Sequence, residues 1–242
     1  MIQKTRGIVL KLTDFKESSV IVQVLTESFG LQSYLVHGAK KPKAKLSSQL
    51  LRPLQLLDLV VSHKTTGGLQ KIVDARPDPL FLDIPYNIHK TSVVFFLNEV
   101  LYKVVRHQSL DQPLFQFIYH SIAWLDHVQS MPPHFHLYFL LRLTRFLGFY
   151  PEAYTQHKAY FDLKEGRFCS QLPAHSWVLQ APHTEQWAQL LQVQLDELQQ
   201  LKIPKTDRKL LLDKLMDYYR LHIEGLGEIH AQDILEEVLK SD

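Results

Sequence analysis

Along the first eighty positions apolar residues recur at alternate places, and the pattern is broken at regular intervals. Ile8, Leu10 and Leu12 are apolar at even positions, and comparable alternation runs through Val20–Leu25 and Leu31–Val36. A fourth segment, Leu54–Ser62, is rich in Leu and Val, and a fifth, Leu69–Ala75, follows the hairpin-turn signal Thr65-Thr66-Gly67-Gly68. Asp14–Ser18, Phe29-Gly30 and Gly38–Pro42 punctuate the rest. Five short strands, with a longer excursion between the third and fourth, predict a small closed or partly open barrel. The OB-fold leads among these, with an SH3-like barrel as the other possibility.

Arg76-Pro77-Asp78-Pro79 ends the strand pattern, and helical spacing begins beyond it. Val93, Phe96, Leu97, Val100, Leu101 and Val104 predict a helix from about His89 to Arg106. Asp111, with Pro113 two residues on, is a helix start for a segment reaching about Val128. Pro132-Pro133 opens a third helix that Gly148 closes. Residues 185–201 and 207–224 read as two further helices, the second with Thr206 or Asp207 as cap, and His230–Leu239 as a short terminal one. Tyr160–Cys169 reads as a small hairpin turning at Gly166. The predicted class is α+β: a five-stranded OB-fold barrel over 1–80, then an all-α domain over 81–242 with an irregular, hairpin-containing insertion at about 152–180.

Composition narrows the possibilities. With 45% hydrophobic and 21% charged residues the chain is of ordinary globular type rather than disordered. No apolar run approaches the roughly 18 residues of a membrane span, and Met1–Arg6 runs straight into alternating sequence without a signal-peptide core. The single cysteine, Cys169, allows no intrachain disulfide and no multi-thiolate zinc site, which suits a reducing cytoplasm. Net charge is +2, but residues 1–80 carry 12 Lys+Arg against 6 Asp+Glu, and the remainder 15 against 19. A polyanion is the expected partner of the first part.

The sharpest local feature is Gly38-Ala39-Lys40-Lys41-Pro42-Lys43-Ala44-Lys45. Lysines this close repel one another, so the segment is expected as an exposed loop. Alone it would be a solvated surface; on a net basic barrel it suits phosphate tracking. Arg6, Lys11, Lys16, Arg52, Lys64 and Lys71 are weaker candidates for the same task. Residues 1–80 contain only Phe15, Phe29 and Tyr34 as aromatics, so backbone electrostatics rather than base stacking must carry affinity for single or double strands.

Catalytic motifs are missing. There is no phosphate-binding G-x-x-x-x-G-K-[ST], no G-x-S-x-G and no H-E-x-x-H. His134 and His136 lie two apart on a helix; His157, Cys169 and His175 are the best remaining metal trio but lack ligand-pair spacing. No enzyme, metal or cofactor is therefore expected. Arg142 and Arg145 interrupt the apolar helix Phe135–Phe149; they either reach out from a core helix or rim an apolar groove able to take an acidic peptide.

Gly7-Ile8-Val9-Leu10-Lys11, Glu17-Ser18-Ser19, Leu25–Gly30, His37–Leu46 and Leu51-Arg52-Pro53-Leu54 together resemble the opening of the bacterial RecO family. Leu97–Leu101 and Phe146–Pro151 resemble landmarks of its helical part. The resemblance implies an OB-fold followed by a helical domain, annealing of complementary strands and, with RecR, loading of RecA onto DNA coated by single-strand-binding protein. It implies the acidic tail of that protein as a peptide partner, which favours the groove for Arg142 and Arg145. It implies a DNA-binding role for the Lys40–Lys45 segment and a cytoplasmic, nucleoid-associated protein. Many members carry a four-cysteine zinc module after the Leu-Gly-Phe landmark; with Cys169 alone, no zinc is expected and the Tyr160–Cys169 hairpin should be held by packing. The competing expectation is an RNA-binding OB-fold protein of translation or ribosome assembly. A nuclease is the third, and would require a divalent metal.

Overall fold

The computed structural model describes residues 1–64, 68–105, 110–155 and 158–240. Thr65–Gly67 of the turn signal, Arg106 and His157 of the candidate trio lie outside the described residues. The chain forms two compact units: Met1–Val128 with the C-terminal segment from Ile229, and Gln129–Glu228.

The first unit begins with β1 (Ile2–Phe15), β2 (Ser19–Thr26), β3 (Gly30–Val36), β4 (Leu56–Ser62) and β5 (Gln70–Pro77). They close into a barrel of order β1-β2-β3-β5-β4, with β1 returning to β4. The β3–β5 pairing is parallel and the others are antiparallel, the arrangement of an OB-like barrel. Alternation decides what fills it: Val9, Val20, Val22, Val24, Tyr34, Val36, Leu57, Leu59, Val61 and Ile72 form its interior. A Cβ at Gly7 would fall 2.5 Å from Leu59 Cδ1 and 2.6 Å from Val24 Cγ1, so any larger residue there would displace these two buried side chains. The apolar even positions of β1 do not all serve that interior. The register with β2 shifts between Val9 and Lys11, making Leu10 a bulge. Leu10 and Ile8 are buried without joining the interior cluster, and the Leu10 carbonyl accepts from Asn98 Nδ2 at 3.0 Å.

Asn98 lies on α1 (Ile88–Val104), which packs on β1; α2 (Gln112–His127) and α6 (Ala231–Lys240) complete this unit. Asp111 caps α2 as expected, its carboxylate accepting from Leu114 N at 2.9 Å. The segment entering α1 is fixed by Asp126, which accepts from the backbone N–H groups of Leu82, Asp83 and Ile84 at 2.8, 3.0 and 2.8 Å. Lys90 is fully buried, but its ammonium donates to the carbonyls of Asp126 and Val128 and pairs with Asp83 at 2.7 Å. A buried charge needs such compensation.

The second unit is built on α3 (Phe135–Leu147), where Phe135, Leu137, Phe139, Leu140, Leu141 and Leu143 are fully buried. Gly148 ends it in a left-handed conformation, as its position predicts. The expected hairpin is one edge of a three-stranded sheet of order β7-β6-β8, from β6 (Tyr160–Asp162), β7 (Arg167–Cys169) and β8 (Val178–Gln180). Packing does hold it: Phe161 lies 4.8 Å from Phe168 and 5.2 Å from Trp187, ring centre to ring centre. The helix expected over 185–201 is shorter; α4 is His183–Gln192, and the chain leaves it at Val193. There the Val193 carbonyl accepts from the Arg142 guanidinium at 2.6 Å instead of continuing the helical ladder. The last helix of the unit, α5 (Lys205–His222), has Pro204 at its cap position rather than Thr206 or Asp207.

Candidate nucleic-acid interface

The connection between β3 and β4 is a compact lobe. Left-handed backbone at Gly38 and Lys43 gives two successive turns, closed by Lys41 N to Gly38 O at 3.0 Å and Ala44 N to Lys41 O at 3.2 Å. Its base is fastened where Ser48 N donates to Ala39 O at 3.0 Å and Lys40 N to Ser18 O at 3.3 Å. Ala39 and Leu51 are buried in the barrel's interior cluster, with Leu46 and Leu50 packed against it. The lobe therefore presents its lysines from a fixed base.

Lys40, Lys41, Lys43 and Lys45 are all exposed. Lys40 Nζ sits 2.8 Å from Asp14 at the end of β1, and Lys45 Nζ 3.0 Å from Asp74 on β5. Lys41 and Lys43 make no ion pair among the described residues. The hydrogen bond from Lys45 is the chief reason the Asp74 carboxyl is held below the usual carboxylate range. Lys16 lies on the adjoining β1–β2 turn, exposed, its ammonium 5.5 Å from the centre of the Phe15 ring. Lys71 is exposed on β5, in register with Leu35 of β3, the strand that leads into the lobe. Turn and lobe thus bring five of the candidate lysines together, whereas Lys71 stands at the start of β5, in register with Ser62 of β4, which pairs with Ile2 at the opposite end of β1 from Asp14.

The remaining candidates make contacts of other kinds. Arg6 donates from Nε and Nη2 to the two Glu27 oxygens at 2.9 and 2.7 Å, and its guanidinium carbon lies 4.6 Å from the centre of the Tyr119 ring. The pairing raises the arginine pKa and lowers that of Glu27, in each case chiefly through their mutual hydrogen bond. Lys11 donates to Tyr102 Oη at 3.1 Å and so reaches toward α1. Arg52 lines a cavity of about 310 Å³ with Pro53, Phe81, Ile84 and Phe95. The Lys64 backbone is clasped by the Gln70 side chain, at 2.8 and 3.1 Å.

The three aromatics of the barrel offer little to bases. Tyr34 is fully buried in the interior, Phe29 is partly exposed and stacks on His63 at 4.1 Å, and Phe15 is partly exposed beside Lys16. What the site presents is cationic side chains, the chemistry of phosphate contacts.

In the second unit Arg142 donates to Tyr150 Oη at 3.2 Å as well as to Val193 O, and stacks over Tyr138. Arg145 is exposed, 5.1 Å from the Tyr150 ring centre. His134 Nε2 donates to Leu198 O at 2.9 Å; His136 is buried, and desolvation holds it neutral with its pKa down to about 3. Among the described residues no three His, Cys, Asp or Glu side chains gather as metal ligands, and no helix is long and apolar enough to cross a membrane. The partners Asp14 and Asp74 escaped sequence reasoning, because only barrel closure brings them beside the lobe.

Two family models match. One described as recombination protein O N terminal covers residues 1–78, and one described as recombination protein O C terminal covers 85–228. The chain is 35% identical to the DNA repair protein RecO of Bacteroides fragilis over 240 residues, 98% of this chain and 99% of that protein. It is 34% identical to the protein of the same name from Flavobacterium johnsoniae over 236 residues, 97% of this chain and 98% of that one.

Proposed function

Because the chain belongs to the RecO family of recombination proteins, we propose that it is a DNA-binding mediator of recombinational repair. It anneals complementary strands and, with RecR, helps load RecA onto DNA coated by single-strand-binding protein, whose acidic tail is a partner of the helical part. Its work is binding rather than catalysis, and it needs no metal or cofactor. The observation that carries this reading is the lysine lobe on an OB-like barrel, fixed at its base and joined by Lys16 on the adjoining β1–β2 turn. The family relationship favours DNA over the RNA partner that an OB-fold alone would allow.

Phosphate-directed binding has a quantitative signature. Each neutralised phosphate contributes about 0.7 to the log–log salt slope on a single strand. A Lys40/Lys41/Lys43/Lys45→Ala variant should bind a fluorescent oligonucleotide more weakly and lose roughly 3 units of slope. Unchanged slope and affinity would move the DNA site away from the lobe. Strand annealing by the wild type in the presence of a chelator, and its loss in the variant, would complete the test.

A further inference from the structure

The lobe carries its own counter-anions. Asp14 and Asp74 flank it from β1 and β5, and each holds one lysine at the distance a phosphate oxygen would take, 2.8 Å for Lys40 and 3.0 Å for Lys45. We propose that these two aspartates are intramolecular phosphate surrogates, which latch Lys40 and Lys45 to the barrel and are exchanged for backbone phosphates when DNA binds. The inference rests on the lobe being the DNA site and adds how that site is regulated: half of its lysines start occupied.

Three features make the exchange feasible. Both pairs are open to solvent on the carboxylate side, with Asp14 78% and Asp74 51% exposed at their side chains, while the lysines are 32% exposed at Lys40 and 75% at Lys45. Ion pairs in such surroundings are marginal, so a polyanion can replace the carboxylates. The base of the lobe is tied by backbone bonds at Ala39, Ser48 and Ser18, so the exchange requires only two side chains to swing. Finally, Lys41 and Lys43 already point to solvent and can make the first contacts before Lys40 and Lys45 transfer. The cost is a weaker hold on DNA than four unlatched lysines would give. The gain is a loop that does not repel itself in the unbound protein.

Glu17 supplies the control. It is exposed on the turn after β1 and makes no ion pair among the described residues, so neutralising it changes the local charge without releasing a lysine. The experiment is fluorescence anisotropy with an oligothymidylate at fixed salt, on the full chain, for Asp14→Asn, Asp74→Asn and Glu17→Gln. Releasing a latched lysine should tighten binding by about 1.5- to 5-fold for each aspartate, and Glu17→Gln should give a clearly smaller gain. The gain from Asp14→Asn must vanish in a Lys40→Ala background, and that from Asp74→Asn in a Lys45→Ala background, since there is then no lysine to release. Gains equal to that of Glu17→Gln, gains that persist without the lysine, or no gain at all would each overturn the latch. Thermal unfolding verifies that these exposed substitutions leave the barrel folded. A Lys41/Lys43→Ala variant separates the two levels. If its affinity and salt slope match the wild type, the lobe is not the DNA site and both readings fall. If they drop while the aspartate variants do nothing, only the latch falls.

Discussion

Arg6 shows how much a single charge depends on what surrounds it. By sequence it is one more cation on a basic strand; in the fold it clasps Glu27, which also accepts from Gln116 Nε2 at 2.6 Å, and lies over Tyr119. Since Gln116 and Tyr119 belong to α2, the guanidinium joins a barrel hairpin to a helix. None of this is legible along the chain, because the partners are remote in sequence and any one of several acids could have served. The clasp is bidentate and partly shielded, which places it above an ordinary surface pair, at about 1–2 kcal/mol. Arg6→Met should lower unfolding free energy by that amount at neutral pH while leaving the DNA salt slope untouched. The sign with pH follows from Glu27, whose folded pKa lies below its unfolded value. Its contribution is fully present above the unfolded pKa of about 4.3 and is lost as pH falls through the folded one. Urea unfolding of both proteins at pH 7 and in strong acid should therefore show the gap closing in acid. A gap that stays constant would assign the stabilisation to ring packing rather than to the ion pair, and a fall in salt slope would put Arg6 on a phosphate.

At the scale of elements, the sequence was most informative where two signals agreed. The five strands, α1 and α3 combine periodicity with turn or cap residues, and they stand close to their expected positions. Where one signal stands alone it misplaces the element: α4 stops before Val193, whose carbonyl goes to a tertiary partner, and β8 is three residues long, too short for any alternation to register. The terminal helix α6 was visible as a helix, but its docking was not. It packs on α1, and the Glu99 carboxylate accepts from His230 N at 3.1 Å and Ala231 N at 2.8 Å, supplying from a neighbouring helix the cap that α6 lacks in its own sequence. Only Leu235 of α6 is buried, so that cap should matter. Glu99→Ala should cost about 1 kcal/mol locally and speed amide exchange across residues 232–240 by roughly fivefold, while the interior strands β2 and β4 keep their protection. Uniform acceleration across the unit would mean instead that Glu99 supports α1 itself. No change would show that Leu235 alone secures the helix.

For the whole molecule the revealing quantity is where charge sits. A net +2 divides into +6 over residues 1–80 and −4 beyond, and this much could be counted before any fold was known. The count gave the polarity of the candidate site but not its shape, because charge number carries no information on which side chains closure brings together. Closure gathers Lys16, Lys40, Lys41, Lys43 and Lys45 around the β1–β2 turn and the lobe, engages Arg6 with Glu27, and leaves Tyr34 in the interior and Phe29 stacked on a histidine. Ammonium groups on a solvent-exposed lobe can reach phosphates, but they present no fixed array of donors and acceptors to base edges, and phosphate contacts contain no sequence information. Affinity should therefore follow strand length and salt while ignoring base order. Oligonucleotides of equal length and different sequence, compared at one salt concentration, should have Kd values within about tenfold of one another, whereas a specific reader loses about 1–3 kcal/mol for each wrong base pair. A wider spread would mean that base edges or stacking contribute, and Phe15 would be the first side chain to replace, since it is the partly exposed ring beside the lysines. Indifference also fits the proposed task, because a protein that anneals whatever complementary strands damage exposes gains nothing from reading them.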